Sequence, residues 1–200
     1  MKRAEFISNA VRVRENFSFA HPLEVIDATV KYCTSFTGGT LWDLRGKAAT
    51  MLYSSWDTNV KLIWQLPRST HSYFIETVLA PTVTSPRVSL MMRFLKFFRS
   101  LFDSPCLEIQ VLSRLGARDI RTNIGSNLAH VKTESGLDPW LYGGDRIRKE
   151  LLKYNRKRVP ESDKWRIGYL EKLLAQRLIM HYEMEDVDTV TNLIESLVIN

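Results

Sequence analysis

The residues in this sequence whose type and spacing best suit a chemical role are cations. Residues 146–158, RIRKELLKYNRKR, hold seven Lys or Arg residues against one acid, Glu150. Basic residues on a helix whose opposite face is buried can neutralise phosphates, and each such contact makes binding sensitive to salt. Two other interpretations use the same residues, namely a solvated charged helix face and a nuclear-localisation address.

Further cations elsewhere in the chain could bind phosphates in the same way. On the helix predicted for residues 87–102, three basic residues fall on the side opposite the apolar positions. The full set of candidate nucleic-acid contacts is Arg12, Arg14, Lys31, Arg45, Lys47, Lys61, Arg68, Arg93, Lys96, Arg99, Arg146, Arg148, Lys149, Lys153, Arg156, Lys157 and Arg158.

The motifs of common active sites are missing from the sequence. Gly39, Gly46 and Lys47 are similar to a phosphate-binding loop, but Ala48 stands where Ser or Thr would bind magnesium. The histidines at positions 21, 71, 130 and 181 lie far apart and form no metal-ligand pattern. Neither a Gly-x-Ser-x-Gly elbow nor an Asp-Asp pair occurs. We therefore expect no catalytic residue, no metal site and no cofactor in this chain.

Charge is distributed unevenly along the chain. The net charge is +6, but residues 1–160 hold 24 basic and 14 acidic residues, whereas residues 161–200 hold 4 basic and 8 acidic ones. We divide the sequence into a region 1–104, a basic region 105–160 and an acidic C-terminal region 161–200. A polyanionic partner is expected for the first two regions.

The sequence predicts an intracellular protein, nuclear or cytoplasmic. Charges at Glu5, Arg12 and Arg14 interrupt the first residues, so no signal peptide is expected. No stretch approaches the length of about 18 uncharged apolar residues that a spanning helix needs, so we expect no membrane partner. In that setting Cys33 and Cys106 are expected to be free thiols.

Apolar residues recur at helical spacing along most of the chain. The clearest stripe starts at Met91, within residues 87–102, and a second runs from Ala48 to Ile63 and ends before Pro67. Strand signals are weak, so we expect an all-α fold, an irregular multi-helix array. The predicted helices span residues 4–15, 22–37, 46–66, 70–79, 87–102, 107–118, 123–133, 146–158, 161 to the acidic run at 183–188, and 187–197.

The five tryptophans could stack on nucleic-acid bases. Trp56 and Trp165 fall on apolar helical stripes, so we expect both of them in the core. Trp64 lies off the main stripe and is expected to be exposed.

Several segments, in order along the chain, resemble one family. The family is the reverse transcriptases of non-LTR, LINE-type retrotransposons of the Jockey-like and chicken-repeat-like groups, and the similar part lies downstream of the polymerase palm. The matching segments are KRAEFISN at 2–9, YCTSF at 32–36, LWDL at 41–44, SWDT at 55–58, LPRSTHSY at 66–73, residues 89–104, Arg118-Asp119, Arg121-Thr122 and Trp165-Arg166.

The resemblance implies a C-terminal fragment of an RNA-directed DNA polymerase, starting after the Tyr-x-Asp-Asp centre of the palm. It implies a thumb-like helical region, then a basic helix and a C-terminal helical hairpin, which together hold the template and the growing duplex. The implied partners are RNA or an RNA:DNA hybrid and the palm of the parent protein, with no catalytic residue in this chain. Helices with cationic faces suit binding that recognises the sugar-phosphate backbone and the shape of a duplex.

A non-enzymatic helical protein-interaction module is the alternative. In that interpretation Trp64, Trp140 and the acidic residues Glu183–Asp188 contact a protein partner. A titration with an RNA:DNA hybrid separates the two hypotheses.

Overall fold

The structure, a computed structural model, describes residues 41–64, 66–79, 83–157 and 160–181. Within these ranges the chain is helical and contains no β-strand, which confirms the all-α prediction. The helices are α1 (Lys47–Ile63), α2 (Ser72–Leu79), α3 (Pro86–Phe102), α4 (Leu107–Arg118), α5 (Asn123–Ser135), α6 (Gly144–Lys157) and α7 (Lys164–His181), with a 3-10 helix at Glu161–Asp163 before α7. A lipid bilayer could not be crossed by any helix in these ranges, since none is both long and apolar enough.

The helices predicted between residues 46 and 181 occur, with ends shifted by a few residues. α3 begins at Pro86, where the missing proline N–H costs no helical hydrogen bond. α5 runs past its predicted end at residue 133 as far as Gly136, whose φ of 70° is a left-handed conformation that glycine adopts without strain. The helices predicted at 4–15, 22–37 and 187–197 lie outside the described residues.

Close contacts divide the described chain into two compact units. Unit one contains the described parts of residues 54–85 and 155–181, and unit two contains residues 41–53 and 86–154. The predicted division of the sequence at residues 104 and 160 stays a prediction.

Unit one has an apolar core in which α2 packs against α7. Trp56 is 1% exposed, as predicted, and Val60 lies beside it in the same core. Trp64 is 2% exposed, so the prediction that it faces solvent is wrong. Its amide donates to the Val60 carbonyl at 2.9 Å, which continues the helical geometry one residue past α1 and brings the indole onto the buried face.

α7 does not bury the tryptophan that was predicted to face the core. Trp165 is 67% exposed and Tyr169 is 61% exposed, so the prediction that Trp165 lies in the core is wrong. Leu170 enters the core instead, with Ile167 and Leu173 partly buried against it. At 100° per residue, Trp165 lies about 140° around the helix from Leu170, so it points away from the core that Leu170 enters.

The start of the α1 stripe also differs from the prediction. Ala48 is exposed, whereas Ala49 is 0% exposed. Each step of four residues turns about 40° past a full helical turn, so a stripe built only from such steps drifts around the helix. Going back from Leu52, a step of three residues corrects the drift of the step from Trp56, and it leads to position 49 rather than 48.

Unit two is built around α3. Met91, Phe94 and Phe98 are buried, as the spacing predicts, and α4 and α5 both pack against this helix. From α6, Ile147 and Leu151 are buried as well.

A buried asparagine holds residues 41–45 against α5. Asn127 is 1% exposed. Its Nδ2 donates to the Trp42 carbonyl at 2.7 Å, and its Oδ1 accepts from the Leu44 amide at 2.9 Å. One turn earlier on the same face, Asn123 donates to the carbonyl of Leu41. These bonds fix the backbone that leads into α1.

Candidate nucleic-acid interface

Two arginines from different helices of unit two meet at Tyr142. Arg99, near the end of α3, donates from Nη2 to the Tyr142 carbonyl oxygen at 2.8 Å. Arg146, in the first turn of α6, has its guanidinium carbon 4.6 Å from the centroid of the Tyr142 ring. A carbonyl oxygen and an aromatic face orient a guanidinium group without cancelling its charge. We call Arg99 and Arg146 the Tyr142 arginine pair.

Asp138 shapes the loop that carries Tyr142. Its backbone carbonyl accepts from the amides of Leu141 and Tyr142 at 3.0 and 3.1 Å. Its carboxylate accepts from the Trp140 amide at 3.0 Å and from Lys132 Nζ at 2.8 Å. The hydrogen bond from Lys132 is the largest cause that lowers the pKa of the Asp138 carboxyl, and the hydrogen bond from the Trp140 amide is the next. A single residue thus fixes the turn between α5 and α6.

The exposed side of α6 is basic. Arg146, Lys149 and Lys153 are all exposed at i, i+3 and i+7, while Ile147 on the other side is buried. Lys153 contacts Glu150 at 3.0 Å, an exposed pair that screening by water keeps weak. We call Arg146, Lys149 and Lys153 the α6 basic face.

The structure describes the other basic residues of the segment 146–158 only in part. Arg148 is exposed, beside the buried position 147. Arg156 and Lys157 lie in the last turn of α6, but their side chains, and Arg158 as a whole, fall outside the described residues.

On α3 the candidate cations lie away from the core, as predicted. Lys96 and Arg99 are exposed and Arg93 is partly buried. Phe94 and Leu95, which separate them in the sequence, are buried. α3 therefore has one apolar and one basic side.

Arg45 and Lys47 also belong to unit two. Arg45 donates from Nη2 to Ser126 Oγ at 2.7 Å, so the segment that Asn127 holds also carries a positioned cation. Lys47 is exposed at the first position of α1.

The other candidates lie elsewhere. Lys61 and Arg68 belong to unit one, where Lys61 Nζ donates to the Arg68 carbonyl at 3.1 Å. Arg12, Arg14 and Lys31 lie outside the described residues.

The sequence-based predictions missed three residues of this region. Arg114 of α4 has its guanidinium carbon 5.7 Å from the centroid of the Phe102 ring. Tyr142 and Asp138 were not among the predicted site residues, although Asp-Pro pairs commonly open turns. Only contacts between segments far apart in the sequence identify Arg114 and Tyr142, because no local spacing distinguishes them from other residues of their type.

Taken together, the Tyr142 arginine pair and the α6 basic face can bind an anion with several charges in a row, such as a phosphate chain. Within the described ranges, no group of three or more His, Cys, Asp or Glu side chains could hold a metal ion. Comparison of the chain with protein-family models, with curated proteins and with solved structures finds no match.

Proposed function

We propose that this chain binds RNA or an RNA:DNA hybrid through the Tyr142 arginine pair and the α6 basic face. It would act as the C-terminal, thumb-like part of a non-LTR retrotransposon polymerase whose palm supplies the chemistry. The resemblance of the segments along the chain supports the identity of the parent, and the geometry of unit two supports the binding mode.

The observation that supports this proposal most directly is the meeting of Arg99 and Arg146 at Tyr142. Among the described residues their contacts are with a carbonyl oxygen and an aromatic ring and include no carboxylate, so neither charge is neutralised within that part of the chain. The α6 basic face continues from Arg146 along the helix, one turn after another. Cations arranged in this way suit a backbone of regularly spaced phosphates.

A duplex is the form of nucleic acid that these helices suit best. The deep, narrow major groove of an A-form helix admits few side chains, so proteins recognise such helices by shape and through phosphates and 2′-hydroxyls. Long basic side chains on an exposed helix can make such contacts without a base-reading pocket.

The alternative, a protein-interaction module, keeps two observations in its favour. One is that Trp140, an expected partner contact, is exposed, and the other concerns α4. Leu107, Leu112 and Leu115 of α4 are 68%, 67% and 59% exposed, and apolar surface of this kind commonly contacts other proteins. Trp64, which was expected to contribute, is buried and cannot contact a partner. The acidic residues Glu183–Asp188 lie outside the described residues.

The test is a fluorescence anisotropy titration of a labelled, blunt-ended RNA:DNA hybrid with the full chain at several salt concentrations. The Tyr142 arginine pair and the α6 basic face together hold four cations. If about six of the candidate cations, these four included, each neutralise a phosphate, the slope of log affinity against log salt should be roughly −5. An affinity that does not change with salt, or no binding at low salt, would refute the proposal and favour the protein-interaction module.

A further inference from the structure

We propose that the indole of Trp140 stacks on an unpaired nucleic-acid base while the nearby arginines hold the adjoining phosphates. This inference rests on the proposed function and adds a single-stranded segment to the ligand. The full set of residues involved is Phe98, Phe102, Trp140, Arg99, Arg114 and Arg146.

Trp140 combines exposure with a fixed position. Its side chain is 47% exposed. Its backbone amide is held by the Asp138 carboxylate at 3.0 Å, and its ring centroid lies 5.4 Å from that of Phe98 and 5.1 Å from that of Phe102. A large aromatic ring that is held by its neighbours and still partly exposed is preorganised to bind another flat ring.

The neighbouring phenylalanine rings contact Trp140 in a perpendicular rather than a stacked arrangement. The planes of Phe98 and Phe102 make angles of 87° and 90° with the indole. Neither ring is parallel to Trp140, so neither is its stacking partner. A nucleobase would stack on the part of the indole that is exposed.

Cations lie near this aromatic cluster. Arg114 lies over the Phe102 ring at 5.7 Å. Tyr142, which both arginines of the Tyr142 arginine pair contact, is two residues along the loop from Trp140. Asp138, the acid of this loop, is already bonded to Lys132 at 2.8 Å. Positive charge beside an exposed aromatic ring is the combination by which proteins bind single-stranded nucleic acids. Charge complementarity therefore favours a nucleotide over an uncharged apolar peptide as the occupant.

The experiment compares three ligands with the wild-type full chain. They are a blunt RNA:DNA hybrid, the same hybrid with a short single-stranded RNA overhang, and that hybrid with abasic sugars in the overhang. Stacking of one base is expected to tighten binding of the base-bearing overhang by about 5- to 150-fold over the abasic one. This comparison needs no mutation, so it stays informative even if a variant fails to fold.

Variants then assign the effect to one residue. Trp140→Ala should abolish the preference for the base-bearing over the abasic overhang, measured as a ratio of two Kd values, and Trp140→Phe should retain part of it. Trp165→Ala is the matched control, since Trp165 is also exposed and has an arginine, Arg166, 5.4 Å from its ring. The control should leave the ratio unchanged.

The outcomes separate this inference from the proposed function. Equal affinity for the base-bearing and abasic overhangs, with tight and salt-sensitive binding of the blunt hybrid, would overturn stacking and leave duplex binding intact. Preference for bases that depends on Trp140, with no binding of the blunt hybrid, would support stacking and refute duplex binding. Loss of the preference in Trp165→Ala rather than Trp140→Ala would also overturn the assignment.

Discussion

The Asp138 carboxylate accepts a hydrogen bond from the backbone amide of Trp140, two residues further along the chain, at 3.0 Å. The same carboxylate accepts from Lys132 Nζ on α5. Through these two bonds, one acid links the end of α5 to the loop that presents Trp140 and Tyr142. The geometry of the proposed interface therefore depends on a residue that would not itself touch a phosphate.

Asp138→Asn should destabilise the protein in a way that depends on pH. The pKa of the Asp138 carboxyl is lowered in the folded state, so its stabilisation is fully present above the unfolded-state pKa of about 3.9 and is lost as pH falls through the folded pKa. At neutral pH we expect a cost of about 1 kcal/mol from the lost charge-assisted bonds.

Thermal unfolding of wild type and Asp138→Asn across a pH series measures this effect. The difference in stability should shrink once pH falls below about 4. A difference that stays constant down to strongly acidic pH would show that the carboxylate charge has no role in holding the loop.

Asn127→Ala should be among the most destabilising single changes in unit two. The substitution leaves the buried Leu44 amide and Trp42 carbonyl without their partner, and each such group costs about 1–3 kcal/mol. We expect a total loss of about 2–6 kcal/mol by urea unfolding. Asn123→Ala, which removes one bond from an exposed residue, should cost less than half as much. Equal losses of stability in the two variants would contradict the conclusion that Asn127 holds residues 41–45 against α5.

Two glycine-to-alanine substitutions should have opposite effects on stability. A Cβ at Gly125 would meet the backbone of Asp119, with the carbonyl carbon at 2.7 Å, and this overlap should cost about 1–3 kcal/mol or more. A Cβ at Gly168, inside α7, would meet nothing within 4 Å, so alanine should stabilise the protein by about 0.5–1 kcal/mol. Thermal melts of both variants give the comparison, and a stabilising Gly125→Ala would show that α5 does not approach residue 119 this closely.

Local periodicity predicted the helices well because each amphipathic stripe depends on residues within a few turns. The burial of Met91 and Phe94 and the exposed Lys96 both follow from the period of 3.6 residues. The two wrong tryptophan assignments have the same cause. A pattern shows that a helix has an apolar side. Whether Trp64 and Trp165 lie on the buried side depends on where the neighbouring helices pack, which the pattern does not show.

The candidate interface could be predicted only in part. The density of cations at residues 146–158 indicated α6, and its basic face follows from helical spacing around Ile147. The meeting of Arg99 with Tyr142 joins residues 43 positions apart. Such a contact depends on how α3 and the loop before α6 pack together, which no local pattern in the sequence encodes.

The measurement that tests duplex binding most directly is the salt dependence of RNA:DNA hybrid binding by Arg99→Gln, Arg146→Gln and the double variant. Each lost phosphate contact should make the slope of log affinity against log salt shallower by about 0.9, and the double variant by about 1.8. The matched control is Arg121→Gln, because this exposed arginine is already paired with Asp119 at 2.9 Å. We expect the control to keep the wild-type slope. Wild-type slopes in all three Arg99 and Arg146 variants, or the same change in Arg121→Gln, would contradict a phosphate-binding role for the arginines at Tyr142.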